Sequence, residues 1–297
     1  MKYCIYNNYT YHHEVFGTFI QYAISKNNEI DIYFIENKSS NHNWRGFYLD
    51  VFNNSPLVKF KKDVKIDDYD IVFATTYSRE LETLGKKCVC VSHTPIEKYN
   101  NRIPIDTNVT IIYIRNIPST PNIPWIYSCF HQNHEKLNHE KSICIVGTSV
   151  GIDMEIIKRI HDENPNIKIN YISRTYVKKI MKDVHDILNI HINIGAEEMM
   201  NMINNSSYLL VAKKEGCPYF ERCLTGAIPL SISMLTPIIA PKKMVDILGI
   251  QKCSIPYDIN QKEPILHTTI SYDDMVECRD EYINYSQGVL DKIIDNL

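Results

Sequence analysis

Several features that would place this chain in a membrane or on a nucleic acid are missing from its sequence. No run of 18 apolar residues is present, which argues against a membrane-spanning helix, and no block of basic residues occurs. The formal net charge is only -3, so the chain has no overall attraction for nucleic acid or anionic lipid. Because the amino terminus enters an apolar segment without a secretory signal, we expect a cytoplasmic protein.

Clustered cysteines are also missing. The nine cysteines are scattered through apolar runs, without the spacing that zinc sites and disulfide frameworks need. We therefore predict mostly buried thiols in a reducing compartment. The eleven histidines are similarly dispersed, and we predict no bound metal. No tandem repeat is visible, and the richness in Asn, Ile, Lys and Tyr suggests only an AT-rich genome.

What the sequence does contain is a regular alternation of apolar and helical segments. With 297 residues, 44% of them hydrophobic and 23% charged, the chain is long enough for two domains with separate cores. Short apolar runs separated by helical spacers predict parallel strands, since each crossover must return over a face of the sheet. The Pro- and Asn-rich segment 116–141 is predicted to connect two doubly wound α/β domains.

The apolar runs and amphipathic segments predict the following elements. Strands are expected at 2–6, 30–35, 70–74, 88–92, 109–114, 143–146, 167–172, 190–194, 208–212, from Ile228 onward, and at 253–257. Helices are expected at 14–25, 153–163, 176–188, 197–204, 218–225, 242–248 and 272–294, with Asp153 as a cap.

The segment from Tyr208 to Ala240 is the most informative part of the chain. An apolar strand runs into a charged turn with Glu215 and Gly216, and a helix bearing Glu221 follows. In open α/β folds, ligands bind at the carboxyl ends of the parallel strands. The two glutamates are therefore expected at a ligand-binding edge.

The same segment resembles a known signature. An acidic residue and a glycine turn precede a helix with a second acidic residue, followed by Gly226 and Pro229, which resembles the nucleotide-sugar region of GT-B glycosyltransferases. The resemblance implies that Glu215 lies by the donor sugar and that Glu221 binds the ribose hydroxyls. It also implies an α/β fold with two Rossmann-like parallel-sheet domains facing across a cleft.

Negative charge grows on the leaving phosphate during glycosyl transfer, so the donor phosphates need hydrogen-bond donors. Helix N-termini and glycine turns supply backbone N–H groups, and two such turns are available, GTSVG at 147–151 and the one at Gly216. The predicted donor-binding residues are Glu221, Gly216, Arg174, Thr148, Ser149 and one of the adjacent lysines, Lys213 or Lys214, of which we favour Lys214.

On the acceptor side, histidine is suited to take a hydroxyl proton because its pKa lies near neutrality. His93 ends an apolar strand and resembles the histidine found at the matching strand end of many GT-B enzymes. His12 and His13 lie in the loop after the first strand, where inverting members of the family place a general base. We therefore predict His93, His13 and Glu215 as catalytic residues, with His12 able to replace His13.

The resemblance implies a metal-independent hexosyltransferase that uses a UDP- or GDP-linked sugar as co-substrate and needs no other cofactor. The acceptor would be a glycan, a protein or a small molecule and not a nucleic acid. Residues 1–125 would form the acceptor-side domain, 126–271 the donor-side domain, and 272–297 would pack back on the first domain.

Two other functions stay open at this point. An epimerase of the same fold would use the same donor pocket. A noncatalytic GT-B-like binding protein is the second alternative, because the two glutamates are six residues apart instead of eight and the 147–151 turn lacks the arginine usual in the family. Sequence alone does not separate retention from inversion.

Overall fold

The computed structural model describes most of the chain, which forms two compact units. The first unit comprises Met1–Asn37, Trp44–Asn133 and Asp280–Leu297, and the second comprises Lys38–Asn43 and His134–Arg279. Among the described residues, no helix is long and apolar enough to cross a membrane. The described residues are 1–35, 43–93, 108–114, 123–132, 141–147, 151–175, 181–214, 216–217 and 226–297.

The first unit is built on a sheet of six parallel strands in the order β3-β2-β1-β4-β5-β6. This is the strand order of a doubly wound Rossmann sheet, in which the order reverses beside the first strand. The carboxyl ends of β1 and β4 therefore flank the position where such sheets bind ligands. The strands are β1 (Lys2–Asn7), β2 (Glu29–Phe34), β3 (Val58–Lys61), β4 (Ile71–Ala74), β5 (Cys88–Ser92) and β6 (Thr110–Tyr113).

The central strands of this sheet are apolar throughout because both faces are covered. Every residue of β4 and β5 is buried. Helix α1 (Phe16–Ser25) packs Phe19 against Phe73 of β4, with the ring centroids 4.4 Å apart. Helix α2 (Trp44–Val51) adds Phe47 and Tyr48 to the same aromatic core.

The second unit repeats the same arrangement, with six parallel strands in the order β12-β11-β10-β7-β8-β9. Here β7 and β10 flank the reversal point. The strands are β7 (Ser142–Val146), β8 (Lys168–Ser173), β9 (Asn189–Ile192), β10 (Tyr208–Leu210), β11 (Ile238–Pro241) and β12 (Ser254–Tyr257). The helices are α3 (Met154–Glu163), α4 (Ala196–Asn205), α5 (Ala227–Ser233) and α6 (Lys242–Leu248), and the last helix, α7 (Tyr272–Ile294), begins in this unit and ends in the first.

Helix α3 begins as its sequence predicts, because the Asp153 carboxylate accepts a hydrogen bond from the backbone N–H of Glu155 at 3.1 Å. From Asp280 onward, α7 belongs to the first unit. There Tyr282 stacks on Tyr127 at 3.7 Å between ring centroids, and Lys26 pairs with Asp291 at 2.7 Å. These contacts hold residues 280–294 within the first unit.

One predicted strand is wrong. The run that begins at Ile228 folds as helix α5, and the strand β11 begins only at Ile238. All seven residues of α5 are buried, and a short segment that is buried on every side has no periodicity that would separate a helix from a strand. Pro229 is tolerated because it lies in the first turn, where the backbone N–H groups have no partner within the helix. The helix predicted at 218–225 lies outside the described residues.

The eight cysteines among the described residues are all buried and unbridged, which confirms the predicted burial. In the first unit, Cys88 and Cys90 lie in β5, and Cys4 lies in β1. Burial raises the pKa of the Cys88 thiol to about 12, so this group is protonated at neutral pH. These thiols act as small apolar side chains within the sheet.

The close packing of Gly17 against Phe130 leads to a testable prediction. A Cβ at position 17 would overlap the ring of Phe130, with Cε1 only 2.7 Å away. We expect Gly17→Ala to lower the free energy of unfolding by about 1–3 kcal/mol through overpacking. Gly288→Ala, also in a helix of the first unit but facing open space, is the matched control and should be neutral or slightly stabilising. Urea denaturation checks both, and equal midpoints for wild type and Gly17→Ala would contradict the packing.

Candidate active site

The loop that follows β1 is held in a fixed turn before α1 begins. The buried side chain of Asn7 donates to the carbonyl of Tyr11 at 2.8 Å and accepts from the backbone N–H of Tyr9 at 3.0 Å. His12 then adopts a left-handed backbone conformation with φ 65°, which is uncommon for a residue other than glycine. This turn places the side chain of His12 near the carboxyl edge of the sheet.

Three polar side chains meet at that edge, His12, Glu14 and His93. The Nδ1 atom of His12 lies 3.3 Å from Oε1 of Glu14. The ring of His12 stacks on that of His93, with 3.4 Å between centroids and 20° between planes. The Nε2 atom of His93 lies 3.0 Å from the carbonyl oxygen of Thr75. Because β1, β4 and β5 are neighbours, the residues that follow their ends converge at one point.

The partners of the two imidazoles fix their tautomers. A carbonyl oxygen only accepts, so Nε2 of His93 donates to Thr75 and its Nδ1 carries the lone pair. In its neutral form, His12 donates through Nδ1 to the Glu14 carboxylate and carries its lone pair on Nε2. Each neutral ring therefore has one nitrogen held by a hydrogen bond and one nitrogen that carries a lone pair.

The ionisation of the cluster follows from burial and from these contacts. Burial alone would raise the pKa of Glu14, but the hydrogen bond with His12 and the attraction of His12 in its protonated form outweigh burial and lower that pKa to about 2. Burial, followed by repulsion from His12 in its protonated form, lowers the pKa of His93 to about 3. At neutral pH the Glu14 carboxylate is therefore ionised and contacts His12, and the neighbouring His93 is neutral.

His13 points away from this cluster. Its ring is 4% exposed and packs among three aromatic rings, 5.4 Å from Phe16, 5.1 Å from Phe34 and 5.7 Å from Trp44 between centroids. The catalytic role that we predicted for His13 stays a prediction. The structure brings His12 against the predicted His93, and it adds Glu14, which the sequence analysis did not single out.

In the second unit, the loops after β7 and β10 lie against each other. The backbone N–H of Lys214 donates to the carbonyl of Gly151 at 2.9 Å, and that of Asp153 donates to Ala212 at 3.0 Å. Gly151 has φ +65°, and a Cβ there would lie 2.8 Å from Cβ of Cys217. Only glycine fits this approach, so the two turns predicted to bind phosphate share one edge of the sheet.

The predicted donor-binding residues divide into three groups. Lys214, Gly216 and Arg174 are exposed at the carboxyl edge, after β10 and β8. Lys213 is only 8% exposed, and burial lowers the pKa of its ammonium group. Thr148, Ser149, Glu215 and Glu221 lie outside the described residues, so their predicted roles stay predictions.

Comparison with known proteins gives no match by sequence. No protein-family profile matches the chain, and no curated protein does either. Solved structures do match over nearly the whole length. AviGT4, a glycosyltransferase involved in avilamycin A biosynthesis, has a TM-score of 0.68 at 8% identity, covering 99% of this chain and 97% of its own.

Two further structures agree with this match. Anabaena HepE in complex with UDP-glucose has a TM-score of 0.59 at 10% identity and full coverage of both chains. An alpha-glucosyltransferase in complex with UDP and a 13-mer DNA has a TM-score of 0.57 at 11% identity, covering 98% of this chain and 95% of its own. The predicted α/β architecture with two Rossmann-like units is confirmed, and the chain has the GT-B fold of these glycosyltransferases.

Proposed function

We propose that this protein is a glycosyltransferase that moves a sugar from a nucleotide-sugar donor to an acceptor hydroxyl. The observation that carries the proposal is the His12, Glu14 and His93 cluster at the carboxyl edge of a Rossmann sheet within a GT-B fold. Two of the structural neighbours were captured with UDP or UDP-glucose, which supports a UDP-linked donor. We therefore propose UDP as the leaving group.

On the donor side, the adjoining loops after β7 and β10 are proposed to hold the nucleotide. Glu221 would bind the ribose hydroxyls and Glu215 the sugar, as the sequence signature implies. The phosphates would meet the amides of Thr148, Ser149 and Gly216 together with the exposed Arg174 and Lys214. The buried Lys213 lies at the same edge and adds a third cationic side chain. Fixed cations of this kind stabilise negative charge on a leaving diphosphate.

On the acceptor side, His12 is proposed as the general base. Its Nε2 lone pair takes the proton of the acceptor hydroxyl while the oxygen of that hydroxyl bonds to the anomeric carbon. The bond from that carbon to the phosphate oxygen breaks, and its electron pair leaves with UDP. The Glu14 carboxylate orients the imidazole and stabilises the imidazolium that forms, as a carboxylate partner does in other histidine bases.

His93 has a different proposed role. Because its pKa is lowered to about 3, it is neutral at physiological pH and does not repel the imidazolium of His12. Its anchored ring also limits the orientations open to His12, since the two planes stack at 3.4 Å between centroids. No step of this scheme uses a metal ion, and we propose that turnover continues in the presence of EDTA.

The acceptor is proposed to be a glycan, a protein or a small molecule. The net charge of -3 provides no general attraction for a polyanion, so we do not propose nucleic acid, although the alpha-glucosyltransferase neighbour was crystallised with DNA. The scattered cysteines favour a reducing compartment, and we propose a cytoplasmic reaction.

A thermal-shift panel of UDP, GDP, ADP and CMP tests the donor assignment first. We expect UDP to raise the melting temperature, because a ligand at 100 times its Kd adds roughly 2.7 kcal/mol to the free energy of unfolding. Release of UDP from UDP-glucose in the presence of candidate acceptors then tests transfer, and NMR of the product gives its anomeric configuration. A panel in which no nucleotide or nucleotide-sugar stabilises the protein would reject the proposal.

A further inference from the structure

We propose that His12, Glu14 and His93 also form a binding site for one divalent transition-metal ion of the Zn²⁺ class. The three residues each offer a ligand atom, and these atoms lie within 4.8 Å of one another. All three side chains are partly buried, so they are held by surrounding structure and still open to solvent. The site belongs entirely to the first unit.

The distance between His12 Nδ1 and Glu14 Oε1 is compatible with two ligands of one metal ion as well as with a hydrogen bond. Zinc binds imidazole nitrogen and carboxylate oxygen at about 2.0–2.2 Å in tetrahedral geometry, so two of its ligands are roughly 3.3 Å apart. The observed separation of Nδ1 and Oε1 is 3.3 Å, whereas hydrogen bonds between nitrogen and oxygen are most often about 2.9 Å. This pair can therefore share either a proton or a metal ion.

The hydrogen bond from His93 to the Thr75 carbonyl suits His93 to act as the third ligand. Metal-binding histidines usually donate the other ring N–H to a carboxylate or a backbone carbonyl, which fixes the tautomer and the ring orientation. The donation from His93 Nε2 to the Thr75 carbonyl at 3.0 Å has this form and leaves Nδ1 as the free ligand atom. The His12 ring lies face to face with that of His93 in the absence of an ion, so metal binding requires one ring to rotate about its Cβ–Cγ bond until both lone pairs point at the ion.

The chemistry of the donor set selects the ion. Two imidazoles and one carboxylate suit Zn²⁺, Co²⁺ and Ni²⁺, whereas Mg²⁺ and Ca²⁺ prefer sites made of oxygen. Three protein ligands leave a fourth position of a tetrahedral ion for water. A site of this kind differs from the closed four-ligand zinc sites that stabilise small domains.

Binding of the ion has a consequence that rests on the proposed function. An ion on Nδ1 of His12 replaces the proton there, and the ring then carries its only N–H on Nε2. The Nε2 atom cannot then accept a proton from an acceptor hydroxyl. We therefore expect Zn²⁺ to inhibit transfer reversibly, with activity restored by EDTA.

The experiment uses the 297-residue chain without an affinity tag and stripped of metal by EDTA. Zn²⁺ is titrated by calorimetry, and Co²⁺ by visible absorption, which reports tetrahedral coordination. We expect one equivalent to bind, and affinity to fall at least about 100-fold in His12→Ala, His93→Ala and Glu14→Gln. His185→Ala is the matched control, because His185 also lies beside a carboxylate, at 3.1 Å from Asp186, in the second unit.

The outcomes separate the two proposals. Binding of less than one equivalent, or affinities unchanged by all three substitutions, would overturn the metal site. Circular dichroism and the melting temperature of each variant show that it is folded, so lost binding is not mistaken for unfolding. If the ion binds with the expected dependence and no nucleotide-sugar is turned over, the metal site stands and the proposed function fails.

Discussion

Replacing His12 by alanine is expected to lower kcat by roughly 10²–10⁴-fold, the usual contribution of a positioned general base. UDP should still stabilise this variant, because the nucleotide is assigned to the loops after β7 and β10. Glu14→Gln should retain part of the activity, since the amide still accepts a hydrogen bond from His12 but carries no charge to stabilise an imidazolium. Initial rates of UDP release at saturating donor measure both effects.

The control for this prediction is His185→Ala. It removes a partly exposed histidine that contacts Asp186 in the second unit, and it should leave kcat unchanged. His13→Phe gives a second comparison. His13 packs among aromatic rings, so a phenylalanine there should alter the melting temperature more than kcat. A His12→Ala enzyme with wild-type kcat, or a His13→Phe enzyme with the larger loss in kcat at an unchanged melting temperature, would refute the assignment of the base.

Replacing Glu221 by alanine is expected to remove most of the stabilisation that UDP gives. A hydrogen bond to a charged group contributes about 1.5–3 kcal/mol, so the loss should raise the Kd for UDP by roughly 10–100-fold. At a concentration that is 100 times the wild-type Kd, the gain in stability would fall from about 2.7 to as little as about 0.4 kcal/mol. Thermal unfolding with and without UDP measures this change.

Glu263→Ala is a suitable control for the nucleotide experiment, because this exposed glutamate lies in the second unit and its side chain has no assigned role. Glu215→Ala should weaken binding of UDP-glucose more than binding of UDP, since Glu215 is assigned to the sugar. An unchanged UDP shift in Glu221→Ala would show that the ribose contact is made by a different residue.

Much of the fold could be read from the chain because the strands are buried on both faces. The run CVCVS at β5 was predicted with its bounds, Cys88–Ser92, and so was the last helix, Tyr272–Ile294. In both places the boundary coincides with an abrupt change in residue type or periodicity. The segment at 227–233 lacked such a change at its end, since Met234 and Leu235 continue its apolar character toward the strand at Ile238.

The candidate site was only partly predictable. His93 could be placed at the sheet edge because it directly follows an apolar strand. The choice between His12 and His13 depends on the left-handed backbone at His12, which turns the two neighbouring side chains to opposite sides. The spacing of His12 and Glu14 was the available signal for the third member of the cluster, but a short His-x-Glu pattern in a loop carries no information about His93.

The chain alone determined that two α/β units form and that polar residues follow their strands, because burial on both faces of a parallel sheet imposes continuous apolar runs. Tertiary structure decided which polar residues meet. Residues after β1, β4 and β5 are up to about 80 positions apart in sequence, and only the pairing order of the strands brings His12, Thr75 and His93 together. The same holds for Lys213 and Lys214, whose opposite exposures depend on the loops that pack around them.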